Sequence, residues 1–217
     1  GVVHYCEHMI GYGTTKNGGF AEFCKVDERQ VYKLGDSTTF EQGAMTEPVA
    51  CCLHGIDMCN ITPGQQVVVI GGGMIGLLMM QLAKLAGAAK VALVEPVAEK
   101  LAVGKKLGAD VIIDPINEDV AAVLKENGMN WINCVIECVG KPSTIEQAIE
   151  IAGPKAVVMM FGLTKPDETI SVKPFQIFQK EIELKASFIN PCTQKRALDL
   201  IDSGRLDVSS MVYDVCG

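Results

Sequence analysis

Aromatic side chains are scarce in this 217-residue chain, at 6% of residues with a single tryptophan. Basic residues are also in the minority: 19 Lys and Arg stand against 26 Asp and Glu, for a formal net charge of −7. The cations form no cluster, so nothing supplies the phosphate-neutralising patch that a nucleic-acid partner requires. No apolar run reaches the roughly 18 residues of a membrane span, which argues against a membrane partner. No signal-peptide pattern is visible, and a start at Gly1 rather than Met reads as a chain whose beginning is missing. The nine cysteines have neither the even count nor the regular spacing of a disulfide framework. Most lie inside apolar segments (Cys51, Cys52, Cys134, Cys138), so reduced thiols and a cytoplasmic setting are expected.

What the chain does have is aliphatic residues in short runs, within a hydrophobic content of 48% that suits an α/β core. Val67-Val-Val-Ile70 reads as a short buried strand, and three glycines follow it at once. Met74, Leu77, Leu78, Met79, Met80, Leu82 and Leu85 then cover the face of a helix. Gly71, Gly73 and Gly76 therefore form G-x-G-x-x-G between a strand and a helix, the context that gives this motif meaning. Gly71 permits the tight turn, Gly73 lets a pyrophosphate approach the backbone, and Gly76 lets the helix sit close to the strand. The helix N-terminus then offers free N–H groups and partial positive charge to phosphates. A second strand, Lys90-Val-Ala-Leu-Val94, ends in Glu95, about twenty residues further on, where an acid accepts hydrogen bonds from an adenosine ribose and repels a 2′-phosphate. The combination points to NAD; a plain strand-to-helix turn is the alternative.

In chain order, three regions are expected. Residues 1–35 are turn-rich, with Phe20–Val26 alternating like a half-buried strand and Val31–Leu34 resembling another, as in the tail of a β domain. Residues 36–64 connect: Asp36-Ser-Thr-Thr39 offers several N-caps before a long helical stretch with Pro48 one turn in. Glu47, a carboxylate beside Pro48 in a mostly apolar stretch, reads as a surface or cap residue. Residues 65–217 alternate strand and helix, with strands at 66–70, 90–95, 111–113, 132–137, 155–160 and 182–188, each aliphatic as a sheet covered on both faces demands. The expected fold is a doubly wound parallel six-stranded α/β sheet, with ligands at the carboxyl ends of its strands. Three further strand exits then matter: Cys138-Val139-Gly140, Phe161-Gly162-Leu163 and Ser187-Phe188-Ile189. Leu206–Cys216 begins another apolar segment. His54 reads as structural, Cys51 and Cys52 as small packed hydrophobes, and Trp131 as a cap on the entry to the fourth strand.

Six segments run in the order of a known family: Gly18-Gly-Phe-Ala-Glu-Phe23, Thr46-Glu-Pro-Val-Ala-Cys-Cys-Leu-His-Gly55, Val68-Val-Ile-Gly-Gly-Gly-Met-Ile-Gly76, Lys106-Leu-Gly-Ala-Asp110, Ile136-Glu-Cys-Val-Gly140 and Lys185-Ala-Ser-Phe188. Through them the chain resembles the zinc-dependent medium-chain dehydrogenase/reductase family, in its sorbitol, threonine and butanediol dehydrogenase branch. The resemblance implies that residues 1–35 are the remnant of a GroES-like catalytic domain and that the chain is an internal fragment. Cys6 matches the fourth cysteine of the structural zinc lobe, and Glu47 matches the Glu-Pro glutamate at the catalytic zinc, as ligand or as partner of its water. Ile75 matches a backbone contact to the cofactor, with Gly73 and Met74 flanking it, Glu95 matches the ribose acid, and Lys100 a position that often holds arginine beside the same ribose. Val139, Phe161, Gly162, Leu163, Ser187, Phe188 and Ile189 match the nicotinamide side. Ile189 departs from the pattern, because sorbitol dehydrogenases have an arginine there that contacts the polyol.

The implied reaction is oxidation of a secondary alcohol or polyol to a ketone, with zinc in the full-length parent polarising the substrate oxygen and hydride passing to NAD. Relatives pair their cofactor domains through the sixth strand, so a homo-oligomer, dimer or tetramer, is expected. Two alternatives stay open: a non-catalytic NAD-binding fragment, and a zinc-free quinone reductase using NADPH, against which Glu47 and Glu95 argue.

Overall fold

The computed structural model describes residues 3–212. Helices α1 (Phe40–Ala44) and α2 (Thr46–Cys59) precede six strands: β1 (Gln66–Ile70), β2 (Lys90–Val94), β3 (Val111–Ile113), β4 (Ile132–Glu137), β5 (Val157–Met160) and β6 (Glu183–Ala186). Between and after them run α3 (Met74–Leu85), α4 (Ala98–Lys106), α5 (Val120–Glu126), α6 (Pro142–Ile151), α7 (Pro174–Lys180) and α8 (Gln194–Asp202). Every strand pair is parallel and the order is β3-β2-β1-β4-β5-β6, the doubly wound arrangement expected from the alternating pattern.

Strand side chains alternate between two cores because successive Cβ atoms point to opposite faces. Val67, Val69, Val91, Leu93, Ile136 and Met159 face α2, α3 and α8. Val68, Ile70, Ala92, Val94, Val135 and Val158 face α5 and α6. Met79, Met80 and Met159 are fully buried fillers of the first core, as their setting predicts.

Three sequence expectations are corrected. Phe20–Val26 and Val31–Leu34 form no strand. A strand needs a partner for its N–H and C=O groups, and among the described residues no neighbour runs beside either segment; Phe20 and Phe23 are exposed. Residues 3–35 hold only two short 3₁₀ turns, Val3–Tyr5 and Glu28–Gln30, and an isolated bridge between Tyr12 and Lys16. The long helical stretch is two helices broken at Met45: Thr39 caps α1 in a capping box with Gln42, and Pro48 sits in the first turn of α2, where its missing N–H costs nothing. β6 is not covered on both faces: successive side chains point to opposite faces, and Glu183, Leu184 and Ala186 of this edge strand are exposed.

Polar ties close the α2, α3 and α8 layer. The buried Thr193 hydroxyl donates to the Ala50 carbonyl at 2.7 Å. Gln81, also buried, exchanges two hydrogen bonds of 2.9 Å with the backbone of Asp207, which fixes the segment carrying Leu206, Val208 and Met211 against α3. Residues 213–216 of that apolar segment lie outside the described residues. The Trp131 N–H donates to Gln66 Oε1 at 3.2 Å, which places it at the entry to β4 with its ring exposed.

Asp110, just before β3, accepts from the Val91 N–H at 2.6 Å and meets Lys84 at 2.7 Å. Burial works to raise its carboxyl, but the Lys84 and Val91 hydrogen bonds outweigh it and hold the value below the ordinary one. Its contribution to stability is therefore complete above the unfolded aspartate value of about 3.9 and is lost as pH falls through the lower folded value. Asp110→Asn is expected to cost about 1.5 kcal/mol in denaturant unfolding at pH 7, with the difference from wild type shrinking in the acid range below pH ~4.

Candidate functional site: the carboxyl edge of the sheet

Because all six strands are parallel, their carboxyl ends share one edge, in the order β3, β2, β1, β4, β5, β6. Adjacent strands lie about 4.8 Å apart, so the exits from β2 to β6 span roughly 19 Å. The site residues on strand exits expected from the sequence fall on this edge: Glu95 after β2, Gly71 to Gly73 after β1, Val139 after β4, Phe161 to Leu163 after β5, and Ser187 to Ile189 after β6.

The β1 exit is shaped by what cannot fit there. Gly71 has φ +104°, and its N–H donates to the Val94 carbonyl at 2.8 Å. A Cβ on Gly76 would lie 1.8 Å from the Gly71 carbonyl oxygen, so α3 packs on the turn at a distance only glycine permits. Gly73 is the N-cap of α3, and a Cβ there would meet nothing within 4 Å. The open space lies where free N–H groups of a twelve-residue helix converge, and Met74 is partly exposed beside it. Ile75 is half-buried, with its carbonyl toward Cys52.

Glu95 is buried beside this turn: Oε2 accepts from the Gly72 N–H at 2.6 Å, Oε1 accepts from the Val97 N–H at 3.1 Å, and Lys100 Nζ stands 3.9 Å away. The carboxylate and the glycine loop thus form one unit, which fits the ribose and pyrophosphate of a dinucleotide in charge, donors and space.

The β4 and β5 exits interlock. A Cβ on Gly140 would lie 2.5 Å from the Leu163 carbonyl oxygen, and one on Gly162 would lie 2.2 Å from the Gly140 nitrogen. Leu163 is exposed, Val139 is partly exposed, and the Phe161 ring lies against Gly55 of α2. After β6, Phe188 stacks on Tyr5 with ring centroids 5.9 Å apart, Ile189 adopts φ +51°, and the Ser187 hydroxyl is buried without a partner.

Glu47 lies in the first turn of α2. Its Oε1 accepts from Cys51 Sγ at 3.2 Å and from Asn190 Nδ2 at 3.4 Å, which links α2 to the residue just past the β6 exit. Asn190 was not apparent from the sequence, because the contact spans 143 residues. Glu137 ends β4 as a carboxylate closing a largely apolar strand, a pattern that repeats Glu95 after β2 and is legible in the sequence.

Zinc does not fit the described residues. Beside Glu47 stand the Cys51 thiol and the Asn190 amide, Cys6 is exposed, and no three His, Cys, Asp or Glu among the described residues converge. A catalytic zinc takes three protein ligands and a structural one four. Burial, then the hydrogen bond to Glu47, pushes the Cys51 thiol up to about 12, and burial pushes the Cys52 and Cys138 thiols up as well. Burial, then His4, lowers the His54 imidazole, which stands edge-on to the His4 ring at 6.1 Å. A groove of about 670 Å³ between α2, α3 and α8 lies at the Leu82–Leu85 end of α3, away from the glycine turn.

Sheet order, glycine turn and terminal acid together define a Rossmann-type α/β protein. Comparison with known proteins narrows this: a family profile described as zinc-binding dehydrogenase matches residues 74–203, so the chain belongs to that family. D-arabinitol dehydrogenase 1 of Uromyces fabae is 32% identical over 97% of the chain and 61% of its own length. (R,R)-butanediol dehydrogenase of Bacillus subtilis is 34% identical over 77% of the chain and 48% of its own length. A structure described as a zinc-binding dehydrogenase of Sinorhizobium meliloti, bound to NADP, superposes with a TM-score of 0.92 at 36% identity, covering 96% of this chain and 62% of that one. The chain thus spans less than two thirds of the length of each.

Gly76→Ala is expected to lower stability by about 3 kcal/mol in thermal or denaturant unfolding, since neither the Gly71 carbonyl nor α3 has room to retreat. In alkylation with iodoacetamide at pH 8, the exposed Cys6, Cys24 and Cys192 are expected to react first, with Cys51 about tenfold slower or more because its thiolate is suppressed. Peptide mass mapping over a time course reads this order directly.

Proposed function

We propose that the chain binds NAD(H) along the carboxyl edge of its sheet and serves an oxidoreductase that converts a secondary alcohol or polyol to a ketone. The observation that carries this reading is the buried Glu95 carboxylate 2.6 Å from the Gly72 N–H, with open space at Gly73 beside it. In this reading Glu95 turns toward the ribose hydroxyls, with Lys100 beside the same sugar. The N–H groups around Gly73, Met74 and Ile75 take the pyrophosphate, and Val139, Phe161 to Leu163 and Ser187 to Ile189 line the nicotinamide. The bound cofactor supplies the hydride acceptor. Glu47, tied to Asn190, sets the charge on the substrate side. Ile189 cannot bind a polyol hydroxyl with its side chain, which favours a small diol, a secondary alcohol or a polyol other than sorbitol.

The described residues supply the cofactor half of this chemistry. A second reading, in which the chain binds NAD without catalysis, is favoured by the two-donor set at Glu47 and Cys51. Residues 1–35, 36–64 and 65–217 are proposed as catalytic-domain remnant, connector and cofactor domain. The exposed β6 edge, flanked by exposed Phe175 and Phe178 of α7, supports a homo-oligomer. Among the described residues no helix is long and apolar enough to cross a membrane.

Calorimetric titration of the purified chain tests the cofactor assignment. NADH is expected to bind more tightly than NADPH, and Glu95→Ala is expected to weaken NADH about tenfold while narrowing the gap to NADPH. Tighter binding of NADPH would overturn the choice of cofactor, in line with the NADP-bound relative. No binding of either would overturn the function. Stoichiometric zinc in the same sample would sink the second reading.

A further inference from the structure

β4 ends on a carboxylate with no solvent access: Glu137 is 0% exposed. Its Oε1 accepts three hydrogen bonds, from the Val139 N–H at 2.8 Å, the Gly140 N–H at 2.9 Å and the Thr144 hydroxyl at 2.7 Å. Its main-chain carbonyl accepts two more, from the N–H groups of Phe161 and Gly162, both at 2.9 Å. One residue therefore fixes the exits of both β4 and β5, and the two exits are held in backbone contact by Gly140 and Gly162. The second carboxylate oxygen, Oε2, is buried without a partner, and a Cβ on Gly162 would lie 2.8 Å from it.

A buried carboxylate is costly to keep, and charge-assisted hydrogen bonds to it are correspondingly strong and directional. Three donors on one oxygen give the loop after β4 little freedom. The loop has no bulk to hold it otherwise: Val139 is partly exposed, and Gly140 has no side chain.

We propose that Glu137 is the positioning residue of the nicotinamide half-site. Through Oε1 it clamps Val139, Gly140 and Thr144, through its carbonyl it clamps Phe161 and Gly162, and the ring lies against the surface so formed without touching the carboxylate. The inference rests on the dinucleotide reading above, and it divides the edge into two parts. Glu95 and the glycine turn serve the adenosine and pyrophosphate, while Glu137 serves the nicotinamide.

The division is tested with two ligands on the full chain: NADH, and ADP-ribose, which lacks the nicotinamide. Glu137→Ala is expected to weaken NADH about tenfold, to leave ADP-ribose binding unchanged, and to move the fluorescence of bound NADH toward that of free NADH. Amide exchange at Val139 and Gly140 rises in the free variant. Glu137→Gln keeps an acceptor oxygen and restores most of the NADH affinity. Equal loss of both ligands in Glu137→Ala, or no loss of either, overturns the proposal while leaving the dinucleotide reading in place. Wild-type protein that binds neither ligand overturns both. Should Glu137→Ala fail to fold, Thr144→Val removes one donor and leaves the carboxylate seated: a smaller loss confined to NADH supports the proposal, and parallel changes in both ligands refute it.

Discussion

A Cβ at position 76 would sit 1.8 Å from the Gly71 carbonyl oxygen, and this contact sets how β1 hands over to α3. With both residues glycine, the helix starts tight against the strand and its unpaired N–H groups point into the open space at Gly73. A longer turn would move α3 off the first core, where Leu77, Leu78, Met79 and Met80 are buried against β1 and α2. Packing and ligand geometry therefore depend on the same approach of two backbone segments.

Around that turn, two buried carboxylates do related work on either side of β1. Glu95 closes β2 and Glu137 closes β4, the two strands that pair with β1. Each accepts backbone N–H groups through its carboxylate: Glu95 from Gly72 of the neighbouring β1 exit and from Val97 of its own loop, Glu137 from Val139 and Gly140 of its own loop. They differ in what remains: Glu95 has Lys100 nearby, whereas Glu137 keeps one oxygen without a partner. An anion held by main-chain donors is stiff, and a stiff loop presents its own donors and surfaces at fixed places. The pair thus flanks the glycine turn of β1, one carboxylate on the strand exit to each side of it.

α2 extends this surface from behind. Its first turn carries Glu47 toward Asn190, its middle is tied to α8 through Ala50 and Thr193, and Gly55 lets the Phe161 ring approach. The thiols along it, Cys51 and Cys52, are held protonated by burial and serve packing.

The sequence by itself determined the alternation of strands and helices over residues 66–202, since β1 to β5 are short aliphatic runs separated by helical segments. It determined the glycine turn and Glu95 as well, because G-x-G-x-x-G and the acid after the second strand are local signals whose chemistry needs no distant residue. Only the tertiary structure decided whether Phe20–Val26 would be a strand, because alternation describes one face of a sheet and cannot provide the neighbour that pairs the backbone. It alone placed Asn190 on Glu47, across 143 residues. Glu137 is in part a local matter, since Val139, Gly140 and Thr144 follow it within seven residues, but its main-chain hold on Phe161 and Gly162 exists only because the parallel sheet brings the β5 exit beside β4.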